Sequence, residues 1–133
     1  MSVLETGNFS NDEATDWLYD LEETCGAELL SEAFDVITRG EFHEQADCCI
    51  ALAAAEMVAA AKGKPAPDFP EDARKWLGNQ DSADVNKIKA LNKKAITAVK
   101  KIQAHSELRD QWEDSDEWHS WNTVVEGLLK RLQ

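Results

Sequence analysis

Acidic side chains supply most of the candidate chemistry in this 133-residue sequence. Asp16, Asp20 and Glu23 follow one another at the i, i+4 and i+7 spacing that places side chains on one face of a helix. A second acidic group comes later in the chain: Glu41, Glu44 and Asp47. Carboxylates that share a face can hold Mg²⁺, which binds oxygen ligands. One interpretation is therefore a small magnesium-dependent hydrolase.

A complete metal site needs several convergent ligands, and the sequence offers only partial motifs. Di-metal sites in helical bundles use Glu-x-x-His pairs on facing helices, whereas the nearest match here is the single pair Asp116 and His119. One mixed cluster consists of Glu41, His43, Glu44 and Asp47. Because an acidic chain places carboxylates together by chance, we predict no metal ligand, no catalytic residue and no cofactor, and the interpretation leans away from an enzyme.

Glu56 lies inside the apolar run "ALAAAEMVAAA". An uncompensated buried charge costs several kcal/mol, so this carboxylate either finds donors or lies on a narrow exposed strip. A catalytic or metal-binding role is a further alternative. We predict a structural anchor that accepts hydrogen bonds from the backbone between Thr6 and Phe9 or from a Trp indole.

The three cysteines are Cys25, Cys48 and Cys49. An odd number with an adjacent pair does not indicate a disulfide framework, and a reducing cytoplasm is the compartment we expect. Cys48 and Cys49 begin an apolar helix, where a thiol behaves as a small hydrophobic group. A nucleophilic cysteine is not favoured, because nearby His43 has no evident orienting partner.

The net charge of −12 is unevenly distributed. Residues 1–47 hold 13 acids and one base, Arg39, whereas residues 48–133 hold 13 acids and 13 bases. Such a field repels polyanions, so we predict no nucleic-acid binding. A basic protein is the partner that the charge favours.

Six lysines occur between Val85 and Gln103 without any acid: Lys87, Lys89, Lys93, Lys94, Lys100 and Lys101. They can form a solvated face that attracts the acidic third of the chain, within one fold or across a homodimer. The sharper alternative is a separate surface for a partner.

Helical periodicity dominates the chain, and no segment shows the alternation of a strand. The predicted helices run over 11–24, 27–38, 44–62, a short segment after Pro70, 82–104, a segment that continues this helix or restarts at Ser106, and a final helix ending near Leu132. We predict an all-α bundle of five to seven helices, formed by a single domain over residues 1–133, with the Ala-rich helix at its centre. No segment is long and apolar enough to predict a membrane span.

The opening stretch "TGNFSNDEATDW" can be explained by helix initiation. Gly7 and Asn8 suit a tight turn, Ser10 with Glu13 matches a capping box, and Phe9 can pack against the first helical turn. We therefore assign Asn8, Phe9 and Trp17, together with Glu56, as structural anchors.

The same stretch resembles the N-terminal signature of a bacterial family of unknown function, DUF4259. The resemblance is carried by Thr6 to Phe9, Asn11-Asp12, Ala14, Asp16 and Trp17-Leu18, with further likeness in "ALAAAEMVAAA" and "SELRDQW". It implies a small helical protein and no particular activity.

From these observations we expect a non-enzymatic, cytoplasmic, acidic interaction module, of the kind that immunity proteins and antitoxins represent. Its predicted partner-binding residues are Asp12, Asp16, Asp20 and Glu23. The alternative is a magnesium-dependent hydrolase similar to nucleotide pyrophosphohydrolases.

Overall fold

The computed structural model describes residues 12–22, 27–40, 44–66 and 69–133. Its helices are α1 (Asp12–Glu22), α2 (Ala27–Arg39), α3 (Gln45–Ala61), α4 (Glu71–Gly78), α5 (Ser82–Ala90), α6 (Asn92–Ala104), α7 (Glu107–Glu113) and α8 (Trp118–Leu132). No strand occurs in these described ranges, so the predicted all-α class is confirmed.

Local capping signals set several helix boundaries. The positive φ of Gly63, 87°, ends α3 and lets the N–H of Lys64 donate to the carbonyl of Ala59 at 2.9 Å. Ser106 accepts a hydrogen bond from the N–H of Arg109 at 3.0 Å and so begins α7 as a new helix. The chain therefore restarts at Ser106 instead of continuing α6.

The predicted number of helices was too low, since eight are found in the described part of the chain. The segment expected as one helix over 82–104 is two helices, α5 and α6, that meet at Leu91. The N–H of Leu91 donates to the carbonyl of Ile88, three residues back, at 3.0 Å. This tighter turn interrupts the α-helical pattern that the spacing of apolar residues predicted.

Helix α3 is buried on nearly every side, and each residue from Ala51 to Ala59 is buried. It packs against each of the seven other helices in the described ranges. Because alanine side chains are short, these neighbours can approach the α3 backbone closely. The other helices bury narrower stripes, such as Leu30, Ala33, Phe34 and Ile37 of α2.

None of the described helices is both long and apolar enough to cross a membrane. The assignment of residues 1–133 to a single domain stays a prediction.

Candidate functional site

An open groove of about 500 Å³ lies between α1, α2 and the first turns of α3. Its lining combines apolar and charged side chains: Trp17, Leu29, Glu32, Ala33, Asp35, Val36, Arg39, Asp47 and Ile50. A concave surface with apolar walls and a few charged groups is the usual form of a binding site. This groove is the candidate functional site.

The apolar part of the groove comes chiefly from one face of α2. Leu29, Ala33 and Val36 follow one another at i, i+4 and i+7 and line the groove together. Val36 is 50% exposed, whereas Trp17, which faces it from α1, is only 5% exposed. The groove therefore offers the accessible side chain of Val36 and the partly buried Leu29, while Ala33 and the Trp17 indole belong to the core.

Two of the three carboxylates in the groove have no ion pair within the described part of the chain. Asp35 lies 3.1 Å from the Lys94 ammonium and 3.6 Å from the Arg39 guanidinium. Glu32 is exposed and Asp47 is half-buried, and neither pairs with a described cation. The groove thus keeps negative charge that the described residues do not compensate.

The described partner-binding acids lie on α1, the helix that contributes Trp17 to the groove, but they are not among the groove's lining residues. Asp16 and Asp20 of α1 are exposed and make no ion pair with any described residue. Asp20 follows Trp17 by three positions, so it belongs to the edge of the face that reaches the groove. Asp12 begins α1, but its side chain is not described, and Glu23 lies outside the described residues.

Sequence reasoning did not identify the groove itself. The signal was present in α2, where Leu29, Ala33 and Val36 form a second apolar stripe next to the core stripe that starts at Leu30. Asp47 had been noted as a metal candidate, whereas Glu32 had not been assigned to any site. Glu32 becomes part of the groove only when α1 packs against α3, and helical periodicity does not reveal that packing.

The lysine segment contacts α2 at Ser31, Thr38 and the groove residue Asp35. Lys94 donates to the hydroxyl of Ser31 at 3.0 Å and to Asp35, and Lys101 donates to the carbonyl of Thr38 at 2.9 Å. Lys94 with Asp35 is the only ion pair between the six lysines and the described acids of residues 12–47. The lysines therefore compensate a small part of the acidic third in the described structure.

Glu56 is only 2% exposed and forms a bidentate ion pair with Arg131 of α8. The Nη1 and Nη2 atoms of Arg131 donate to the two carboxylate oxygens at 2.6 and 3.2 Å. Nη1 also lies 3.3 Å from the carbonyl oxygen of Lys64. Arg131 thus connects the C-terminal parts of α3 and α8, and these contacts stabilise the fold.

The predicted anchoring of Glu56 by residues 6–9 falls outside the described residues, as do Asn8 and Phe9. Trp17, the remaining predicted anchor, is buried and lines the groove. Sequence reasoning missed Arg131 as a partner of Glu56. Its position three residues after buried Leu128 was the available signal, because residues three apart lie side by side on a helix.

Cys48 and Cys49 are buried free thiols. Burial raises the pKa of Cys48 to about 11 and that of Cys49 to about 12, with the Glu13 carboxylate adding to the rise at Cys49. A thiol with such a pKa is protonated at neutral pH, whereas nucleophilic attack requires the thiolate. Cys25 and His43 lie outside the described residues.

The candidate metal residues do not converge where the structure describes them. Asp116 and His119 are exposed, and Glu41 lies outside the described ranges. Among the described residues, no group of three or more His, Cys, Asp or Glu side chains is arranged to hold a metal ion.

Comparison with known proteins gives a family and no further relative. The model of a domain of unknown function, DUF4259, matches residues 3–124. Searches of curated proteins and of solved structures found no match to the chain.

Proposed function

We propose that this chain, which belongs to the family of the domain of unknown function DUF4259, is a non-enzymatic acidic module that binds a basic protein partner. One observation carries the proposal. Asp16, Asp20 and Glu32 are exposed and have no ion pair within the described structure; Glu32 lines an open groove, and the two aspartates lie on α1, the helix that contributes Trp17 to it. Hydrated carboxylates beside an apolar recess suit recognition of a partner that brings both cations and apolar side chains.

The distribution of charge supports a basic partner. The first third of the chain carries the whole net charge of −12, so its field extends from one region and is not spread evenly. Such a field speeds the encounter with an oppositely charged protein and disfavours acidic ones. Immunity proteins and antitoxins neutralise basic partners in this way, and we propose that class of role here.

The proposal includes a structural part. In this proposal the Ala-rich helix α3 is the centre of a single domain over residues 1–133. The contacts of α3 with each of the other seven described helices support this arrangement. The buried, reduced state of Cys48 and Cys49 supports a cytoplasmic location. A homodimer is a further alternative that a measurement of self-association would test.

A capture experiment at two ionic strengths tests the proposal. The immobilised chain is exposed to lysate of its source cells at low and high salt, and the recovered proteins are identified and purified. We expect a basic protein at low salt that is largely lost at high salt, because salt screens exposed charges. The absence of any basic protein, or recovery that ignores ionic strength, would refute the proposal.

A charge-neutralised variant makes this test specific to the proposed surface. The rim variant carries Asp16→Asn, Asp20→Asn and Glu32→Gln, three exposed positions on α1 and α2, the helices that line the groove. We expect roughly a 10-fold or greater loss of affinity for the recovered protein, since each exposed ion pair contributes about 0.2–1 kcal/mol.

A matched control removes the same charge elsewhere. The remote variant carries Asp72→Asn, Asp114→Asn and Asp116→Asn, three exposed positions on α4 and in the turn between α7 and α8. We expect its affinity at about 0.1 M salt to stay within about twofold of the unmodified chain, because none of the three carboxylates lines the groove and the Debye length at that ionic strength is about 10 Å. Calorimetric titration with Mg²⁺ or Mn²⁺ addresses the hydrolase alternative, for which stoichiometric saturable binding is the required result.

A further inference from the structure

We propose that the groove between α1 and α2 receives one amphipathic, lysine- or arginine-rich α-helix of the partner protein. This inference rests on the proposed function and specifies the element of the partner that is bound. Two observations support it: the geometry of the apolar stripe formed by Leu29, Ala33 and Val36, and the position of the carboxylates that flank this stripe. In addition, the cationic segment of a second copy of the chain has no free apolar stripe that could occupy the groove.

The apolar stripe has the periodicity that a docked helix requires. Val36 follows Leu29 by seven positions on α2, with Ala33 between them, which corresponds to roughly 10 Å, or two helical turns. Helices that bind in grooves present anchors at i, i+3 or i+4, and i+7, so their anchors match a stripe of this length. Trp17 and Ile50 close the recess on its other sides.

The exposure of the stripe indicates where an anchor would enter. Val36 is half exposed and is one of the most exposed large hydrophobic side chains in the described structure, together with Tyr19. Unlike Val36, Tyr19 does not line the groove. An aliphatic or aromatic anchor placed against Val36 would remove apolar surface from water on both partners.

The charges around the stripe select the polar face of the docked helix. Glu32 lies on α2 and Asp47 on α3, so uncompensated carboxylates flank the apolar recess on two sides. Lysine or arginine residues next to the apolar anchors would meet these carboxylates. A phosphate-rich ligand would meet repulsion from the same groups.

A second copy of the chain is a poorer occupant. Its cationic segment, α5 and α6, turns its apolar residues inward: Ile88, Ala95, Val99 and Ile102 are fully buried. That segment can offer exposed lysines but no free apolar stripe. The occupant we infer is therefore a different protein.

Two synthetic peptides test this inference on the intact chain. The stripe peptide is a helix-forming sequence of about 18 residues, or five turns, with leucines at i, i+4 and i+7 and lysines on the opposite face. The scrambled peptide has the same composition without the apolar stripe. Fluorescence anisotropy at low salt should show that the stripe peptide binds at least about 10-fold more tightly than the scrambled peptide. Only the stripe peptide presents its leucines together on one helix face.

Substitution at Val36 separates apolar anchoring from attraction between charges. Val36→Glu adds a negative charge, so electrostatics alone would strengthen peptide binding, whereas loss of the apolar wall weakens it. We expect roughly 10-fold weaker binding of the stripe peptide. Tyr19→Glu is the matched control, because it adds the same charge at an exposed site outside the groove, and its binding should not weaken.

The outcomes distinguish this inference from the proposed function. If both peptides bind equally and Val36→Glu does not weaken binding, the helix-in-groove inference is wrong while the acidic module stands. If neither peptide binds at low salt, both fail. Self-association that Val36→Glu abolishes would identify a second copy as the occupant and overturn the inference. Val36→Gln serves where Val36→Glu does not fold, and circular dichroism verifies folding.

Discussion

The groove of α1 and α2 and the junction of α3 with α8 use the same carboxylate chemistry in opposite ways. At the junction, Glu56 is buried and accepts hydrogen bonds from the two terminal nitrogens of Arg131, Nη1 and Nη2. In the groove, Glu32 is hydrated and has no ion pair in the described structure. A buried carboxylate requires compensation within the fold, whereas a hydrated one can remain available to another molecule. Burial thus decides whether a carboxylate must be paired within the fold or can stay unpaired in water.

The junction is reinforced by contacts that the groove does not have. Lys62 donates to the carbonyl oxygen of Leu132 and, at 3.0 Å, to the side-chain oxygen of Asn92. A cation at the end of α8 also opposes the negative end of that helix. These contacts connect the C-terminal ends of α3 and α8 with the start of α6.

Among single substitutions, the largest expected effect is the loss of the junction ion pair. Arg131→Met removes the guanidinium while the Glu56 carboxylate stays buried, and we expect the free energy of unfolding to fall by about 3 kcal/mol. Denaturant titration measures this change. The matched control is Lys75→Met, which removes a cation paired with Glu71 where both side chains are exposed, and it should cost no more than about 1 kcal/mol. Equal losses in the two variants would contradict the distinction between buried and hydrated pairs.

A change in the core of α3 should have the next largest effect. Ala54 is fully buried, so Ala54→Leu forces neighbouring helices apart and should destabilise the fold by about 1–3 kcal/mol. The control on the same helix is Ala46→Leu at an exposed site, where we expect a change within about 0.5 kcal/mol. Thermal unfolding of both variants gives the comparison, and a tolerant Ala54 would indicate loose packing around α3.

Alkaline pH should weaken the fold through the buried thiols. Unfolded cysteine has a pKa near 9.0, whereas burial raises that of Cys48 to about 11 and that of Cys49 to about 12. The unfolded chain therefore loses these protons first. The stabilisation is complete below pH 9 and is lost as pH rises through the folded pKa values, by roughly 1 kcal/mol per pH unit for each thiol.

Unfolding free energies between pH 8 and 11 measure this dependence. Replacing both thiols by alanine should flatten the curve relative to the parent chain, while lysine titration affects both chains alike. Identical slopes in the two chains would show that the thiols do not carry the effect.

The smallest expected change in stability comes from breaking the ion pair between the groove and the lysine segment. Lys94→Met breaks the pair with Asp35 at a half-exposed site and should cost no more than about 1 kcal/mol. Lys93→Met, at an exposed neighbouring position without an ion pair in the described structure, is the control. A loss well above that of the control would mean that the lysines hold the acidic third within the fold.

The sequence was sufficient for the helical class and for the family, because apolar periodicity and the opening motif depend on local residues. It was insufficient for the break at Leu91, where a single turn tightens within an otherwise continuous apolar seam. Glu56 was recognisable as a buried carboxylate, but Arg131 follows it by 75 residues, and no local pattern connects the two. The groove escaped prediction for the same reason, since three helices must pack before it exists.

Peptide affinity across a range of salt concentrations decides whether the hydrated acids recognise a basic partner. The stripe peptide is titrated into the unmodified chain, the rim variant and the remote variant by isothermal calorimetry. We expect the rim variant to bind roughly 10-fold more weakly at about 0.1 M salt and to depend less on salt, with the remote variant close to the unmodified chain at that ionic strength. Equal affinities in all three proteins, or equal losses in both variants, would show that the acids around the groove do not form the binding surface.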